Sequence, residues 1–109
     1  MTVTMRQVVQ IMPGETLAAG INFTSRLKST EVLGGTPTVV TDSTSVVISS
    51  PTINATTTTI LGEGVAVGKA TLFTITVAST VAAHVCVMTA TSTSAGGQTV
   101  IETGYVKVL

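Results

Sequence analysis

At 109 residues the chain has the length of one domain built on one core, and its five basic and five acidic residues cancel. Hydrophobic residues reach 44% and charged residues only 9%, against about 25% in ordinary globular domains, so hydroxyl groups must keep the surface wet. No basic stripe exists to release counterions from a phosphate backbone, and no run of about 18 apolar residues exists to span a bilayer, which excludes nucleic acid and membrane as expected partners.

Thr and Ser fill the polar half of nearly every segment, and Thr, being β-branched, favours a pleated strand over a helix. From Val3 to Ile11, apolar Val3, Met5, Val9 and Ile11 alternate with other residues at the period of a half-buried strand, and Pro13-Gly14 ends it with a turn. Leu17, Ala19, Ile21 and Phe23 then share one face of a second strand, with Thr16, Gly20, Asn22 and Thr24 on the other. Ser25 to Thr30 reads as a connection with Leu27 tucked under a sheet edge.

Gly34-Gly35-Thr36-Pro37 punctuates the next segment, since Pro37 cannot donate to a central ladder. Thr38 to Thr41 and Val46 to Ser49 read as short strands flanking a turn at Asp42-Ser43, closed by Pro51. Asn54 to Thr59, with four consecutive threonines, fits an edge strand or an extended loop equally. Gly62-Glu63-Gly64 and Val67-Gly68-Lys69 are turn signals, after which Phe73, Ile75 and Val77 alternate with Thr74 and Thr76 in a further strand.

Between His84 and Ser94 both faces begin apolar. Placing Val85 and Val87 in the core leaves Cys86, Met88 and Ala90 as an outward apolar strip, a candidate protein interface unless Asn54 to Gly64 folds over it. Ala95-Gly96-Gly97 is a hairpin turn, and the strand from Thr99 to Leu109 is expected to carry a bulge at Gly104 so that Ile101 and Val106 share a face. The whole predicts an all-β protein, one domain over residues 1–109, folded as an immunoglobulin-like two-sheet antiparallel sandwich of about seven strands.

Chemistry is sparse. His84 is the sole candidate general base, and the scattered carboxylates of Glu15, Glu31, Asp42, Glu63 and Glu102 form no acid/base pair by spacing. One histidine and one cysteine cannot supply the four ligands of a zinc site, and Gly62-Glu63-Gly64 opens no helix that could cradle a phosphate. The expectation is therefore no catalytic, metal or cofactor-binding residues and no small-molecule substrate. Cys86 cannot form an internal disulfide, and Met1-Thr2-Val3-Thr4 lacks the basic and apolar regions of a secretion signal, which points to synthesis in a cytoplasm.

Pro13-Gly14-Glu15-Thr16-Leu17, followed by Ile21-Asn22-Phe23-Thr24-Ser25-Arg26-Leu27, a Thr-rich middle, Thr93-Ser94-Ala95-Gly96 and a closing Val106-Lys107-Val108, resembles the small immunoglobulin-like virion proteins of tailed bacteriophages. The resemblance spans about Val9 to Leu109, with Ala18 and Ala19 where that family commonly has an acidic or aromatic residue and no ring near Val85. It implies a non-enzymatic virion structural protein assembled in the host cytoplasm, a tail-associated adaptor linking fibres to the tail, with other virion proteins and further copies of itself as partners. A capsid decoration protein is the alternative within the same class. A carbohydrate-binding module is the alternative outside it, disfavoured by three aromatic residues in the whole chain.

Overall fold

Alternating threonine, valine and isoleucine hold the backbone extended wherever they dominate: the computed structural model, which describes residues 7–109, contains strands, one turn of 3-10 helix at Thr24–Arg26 and no α-helix. The strands are β1 (Gln7–Ile11), β2 (Thr16–Asn22), β3 (Leu33–Thr41), β4 (Val46–Ile53), β5 (Thr58–Ile60), β6 (Glu63–Val65), β7 (Ala70–Val77), β8 (His84–Ser94) and β9 (Thr99–Val108). Val3–Arg6, the start of the first expected strand, lies outside the described residues.

Three sheets result, ordered β1-β9-β8-β3, β2-β7-β4 and β5-β6. Every pairing is antiparallel except β1 with β9, which run parallel from Gln7 opposite Gly104 to Ile11 opposite Val108. The expectation of about seven strands, all antiparallel, is corrected on both counts. The turn at Met12–Glu15, closed by Glu15 N–H donating to the Met12 carbonyl at 3.1 Å, carries the chain from one layer to the other, so β1 cannot form a hairpin with β2. Its free edge is taken by the last strand instead.

The four-stranded and three-stranded sheets bury their inner faces in one shared core. Val9, Ile11, Val39, Met88, Val106 and Val108 come from the first and Ile21, Val46, Phe73, Ile75 and Val77 from the second, with Phe23 closing one end. Each such side chain removed from water contributes about 1.5–3 kcal/mol, which is how a chain this poor in charge holds together. Leu27 packs against this core from the connection after β2, as its position in the sequence suggested.

Several local expectations change. The strands on either side of Asp42-Ser43 belong to different sheets, β3 pairing with β8 and β4 with β7, so this turn is a corner between layers. Pro51 lies within β4, where the register shifts between Ser49 and Thr52 and Ser50 takes a positive φ of 54°. Gly34 to Pro37 likewise forms an irregularity inside β3, between the pairs Gly34–Thr93 and Thr38–Thr91. The bulge expected at Gly104 is absent: the β8–β9 register runs unbroken from His84–Val108 to Thr93–Thr99, so Ile101 faces solvent while Val106 is buried.

The threonine-rich stretch divides. Thr58–Ile60 pairs with Glu63–Val65 across the Leu61-Gly62 turn, and this hairpin lies on the outer face of the three-stranded sheet. Ile60 and Val65 pack there with Ala70 and Leu72 in a second small apolar cluster. Gly20 permits the approach, because a Cβ on it would come within 2.9 Å of Leu72 and 3.0 Å of Ile60. Asn54, only 2% exposed, anchors the segment: its amide donates to the carbonyls of Thr56 and Ala66, and its oxygen accepts from Ala70 N–H at 3.0 Å.

Candidate docking surface

In β8 the even-numbered residues point inward. Cys86 is 3% exposed and Met88 and Ala90 are 0%, followed by buried Ser92 and Ser94 on the same side. The expected outward strip of Cys86, Met88 and Ala90 is therefore part of the core, and the strand presents Val85, Val87, Thr89, Thr91 and Thr93 to the outside. The physical reason is polarity along the strand: Val85 and Val87 share parity with Thr89, Thr91 and Thr93, whose hydroxyls stay solvated outside, while Cys86, Met88 and Ala90 share the other. The three-stranded sheet buries this strip; the β5–β6 hairpin covers a different patch, on that sheet's outer face.

Reading the register outward from β8 gives the composition of this face. Val87 stands opposite Tyr105, which stands opposite Val8 on β1; one row away, Val85 stands opposite Lys107, beside Gln10. Thr89 lies between Val40 and Thr103, and Thr91 between Thr38 and Ile101. Val40 is 60% exposed, Val85 59%, Ile101 49% and Val8 44%, so four aliphatic side chains project from one continuous sheet face. Val8, Tyr105, Val87 and Val85 adjoin one another on this face, whereas Thr89 and Thr91 separate Val40 and Ile101 from them.

The few charges are engaged mostly at the ends of the strands. Glu15 accepts from Met12 N–H and Glu31 from Lys28 N–H, fixing turns. Lys69 Nζ donates to the Ser29 carbonyl at 2.8 Å. Arg26 Nε reaches Glu102 at 3.2 Å, tying the 3-10 turn to β9. Asp42 Oδ1 accepts from Val87 N–H at 2.9 Å at the rim of the exposed face.

His84, the one candidate base, accepts a partner that its sequence position did not disclose. Its Nδ1–H donates to the Ala82 carbonyl at 2.8 Å, which leaves Nε2 as acceptor for the Ser43 hydroxyl at 3.0 Å. The bond joins the β3–β4 corner to the start of β8. A backbone carbonyl stands where a triad has its orienting carboxylate. Cys86 is a free thiol whose pKa is pushed up by burial and, secondarily, by the charge of Asp42, against a lowering hydrogen bond from the Val106 backbone. Among the described residues no group of three or more His, Cys, Asp or Glu could hold a metal ion.

A cleft of about 660 Å³ runs beside edge strand β2 and under the hairpin, lined by Leu17, Ala18, Gly20, Ile60, Leu61 and Leu72 and by β1 around Val8. Among the described residues no charged one lines it. A shallower one of about 400 Å³ lies along β3 and β4. No protein-family model matches this chain, and no characterised protein matches it in sequence.

Proposed function

We propose that this protein is a non-catalytic structural module that acts by protein–protein contact through the outer face of its four-stranded sheet. The exposed group of Val8, Val40, Val85 and Ile101 carries the reading: four large apolar side chains stand open on one sheet face of a molecule with few charges to oppose contact. The topology is taken as immunoglobulin-like. Read as A to G, strands β1, β2, β3, β4, β7, β8 and β9 give sheets A-G-F-C and B-E-D, with strand A moved to the G edge and the β5–β6 hairpin inserted between D and E.

Within that class, the sequence resemblance supports a virion protein of a tailed bacteriophage, of the fibre–tail adaptor type, assembled in the host cytoplasm without metal, nucleotide or other cofactor. Antibody labelling of intact particles tests it. Label at the tail is expected; label spread over the head would replace the adaptor by a capsid decoration protein, and particles without label would overturn the virion reading. Addition of zinc, calcium or nucleotide is expected to leave the melting temperature unchanged.

A further inference from the structure

We propose that the occupant of the exposed face is a second copy of this chain, packed sheet to sheet about a two-fold axis that runs along β8. Among the described residues the face carries two charges, Lys107 on β9 and Asp42 at the end of β3, on opposite sides of β8. A two-fold axis parallel to β8 exchanges left and right without moving anything along the strand. It therefore lays β9 of each copy over β3 of the other. Lys107 then meets the other copy's Asp42 one row along, within the reach of a lysine side chain, and the symmetry makes the same pair twice. An axis perpendicular to the strands would set β9 over β9 and leave both charges unmatched, so the charges select the axis.

The valines of β8 support this placement, while Val8 on β1 lies beyond the overlap. Val85 and Val87 lie on the axis and meet their own counterparts, and the Tyr105 and Thr103 rows of β9 fall over the Asp42 and Val40 rows of β3. The overlap is three strands wide, β9, β8 and β3, about 4.8 Å apart, and over the length of β8 from Val85 to Thr93 it covers on the order of 400 Å² in projection before side-chain relief is counted. That is below the roughly 800 Å² of accessible surface that a standard interface removes from each partner, so a weak, concentration-dependent pair is expected.

This inference rests on the docking reading above, and the experiment separates the two. Sedimentation of the full chain should show a concentration-dependent dimer. Lys107→Asp and Asp42→Lys should each weaken it at least about tenfold, the smaller end of what desolvated charge pairs contribute, and an equimolar mixture of the two variants should restore it, because every cross-pair is then opposite in sign. Since Asp42 also holds Val87 N–H, a second test uses exposed positions only: a short bis-thiol cross-linker should join Val85→Cys, which sits on the axis, and should leave Ile101→Cys, displaced onto β9, unlinked. A wild-type chain that stays monomeric at its solubility limit overturns the dimer. So does efficient linking of Ile101→Cys without Val85→Cys, or mixing that restores nothing. A monomer that binds another virion protein, and loses that binding in Val85→Lys, would sink the dimer and leave the docking reading standing.

Discussion

Met88 and Val85, three positions apart on one strand, test which face of β8 the core occupies. Met88 is 0% exposed at the centre of the core and Val85 is 59% exposed. Truncating a buried methionine to alanine removes the transfer energy of its side chain and leaves a void, a loss of about 2–5 kcal/mol where the sheets cannot collapse into it. For a domain of about 100 residues each kcal/mol moves the melting temperature by about 4–8 °C, so Met88→Ala should fall by on the order of 10–30 °C. Met88→Lys places an unpaired charge in the same space and should not fold, since the whole stability of such a domain is about 5–15 kcal/mol. Val85→Thr keeps the β-branched shape on the open side and should stay within about 0.5 kcal/mol of wild type. Thermal melts followed by near- and far-UV circular dichroism, at dilution low enough that association does not enter, read all three. A destabilised Val85→Thr beside a stable Met88→Ala would mean that β8 is turned over, and both the core and the docking face assigned here would be wrong.

Three further outcomes follow from the same structure. Asn54→Ala removes the acceptor for Ala70 N–H and two donated bonds at a site with no access to water, and should lower stability by about 2–4 kcal/mol in denaturant titration, with a larger rise in proteolysis at Leu61-Gly62 than elsewhere. Thr71 is 0% exposed with a hydroxyl that has no hydrogen-bond partner, so the isosteric Thr71→Val should stabilise by about 1–2 kcal/mol; an unchanged or lowered unfolding midpoint would show the hydroxyl to be satisfied. Burial raises the Cys86 pKa in the folded state, so as pH climbs past the ordinary thiol range the unfolded chain ionises first and stability falls until the folded thiol titrates too. Cys86→Ala should lack that alkaline decline, and the native thiol should resist aromatic disulfide reagents until the protein unfolds.

Much of the strand pattern could be read from residue types. Leu17, Ala19, Ile21 and Phe23 line up on one side of β2, and Phe73, Ile75 and Val77 on one side of β7, because a half-buried strand exposes its period directly. Gly97, at φ 86°, turns β8 into β9 where Ala95-Gly96-Gly97 suggested it. The orientation of β8 was harder, since Val85 and Val87 are as apolar as Cys86 and Met88. The signal lay further along the strand, where Thr89, Thr91 and Thr93 share parity with the two valines while Ala90, Ser92 and Ser94 share it with Cys86. Threonines on one parity and small residues on the other mark outside and inside, and the valines belong with the threonines. Long-range choices leave no such trace. The parallel joining of β1 to β9, the assignment of β3 and β4 to different sheets, and the contact of Ser43 with His84 all depend on pairing across the chain, which local periodicity does not encode.

The two outer faces of the molecule also differ in a way that bears on why the exposed valines are there. On the three-stranded sheet Ala70 and Leu72 are covered by the chain's own hairpin, Val47 stays 55% exposed on the outer face of β4, and most other uncovered positions are hydroxyls, with Thr16 and Thr76 in side-chain contact at 3.4 Å. Among the described residues the four-stranded sheet has no such cover. Valine and threonine are close to isosteric, and both suit the pleat, so strand formation alone would be served equally well by threonine at Val8, Val40 and Val85. This chain places threonine on open strand faces almost everywhere else. Retaining valine at these positions leaves 44–60% of each residue against water with no gain to the isolated fold, a cost that disappears once the face is covered. The same reasoning explains the placement of charge. Glu15, Glu31, Lys69, Arg26 and Glu102 fix turns and ends, where they do not obstruct a sheet-to-sheet contact, and the two charges that do border the exposed face have opposite signs and lie on opposite sides of its central strand.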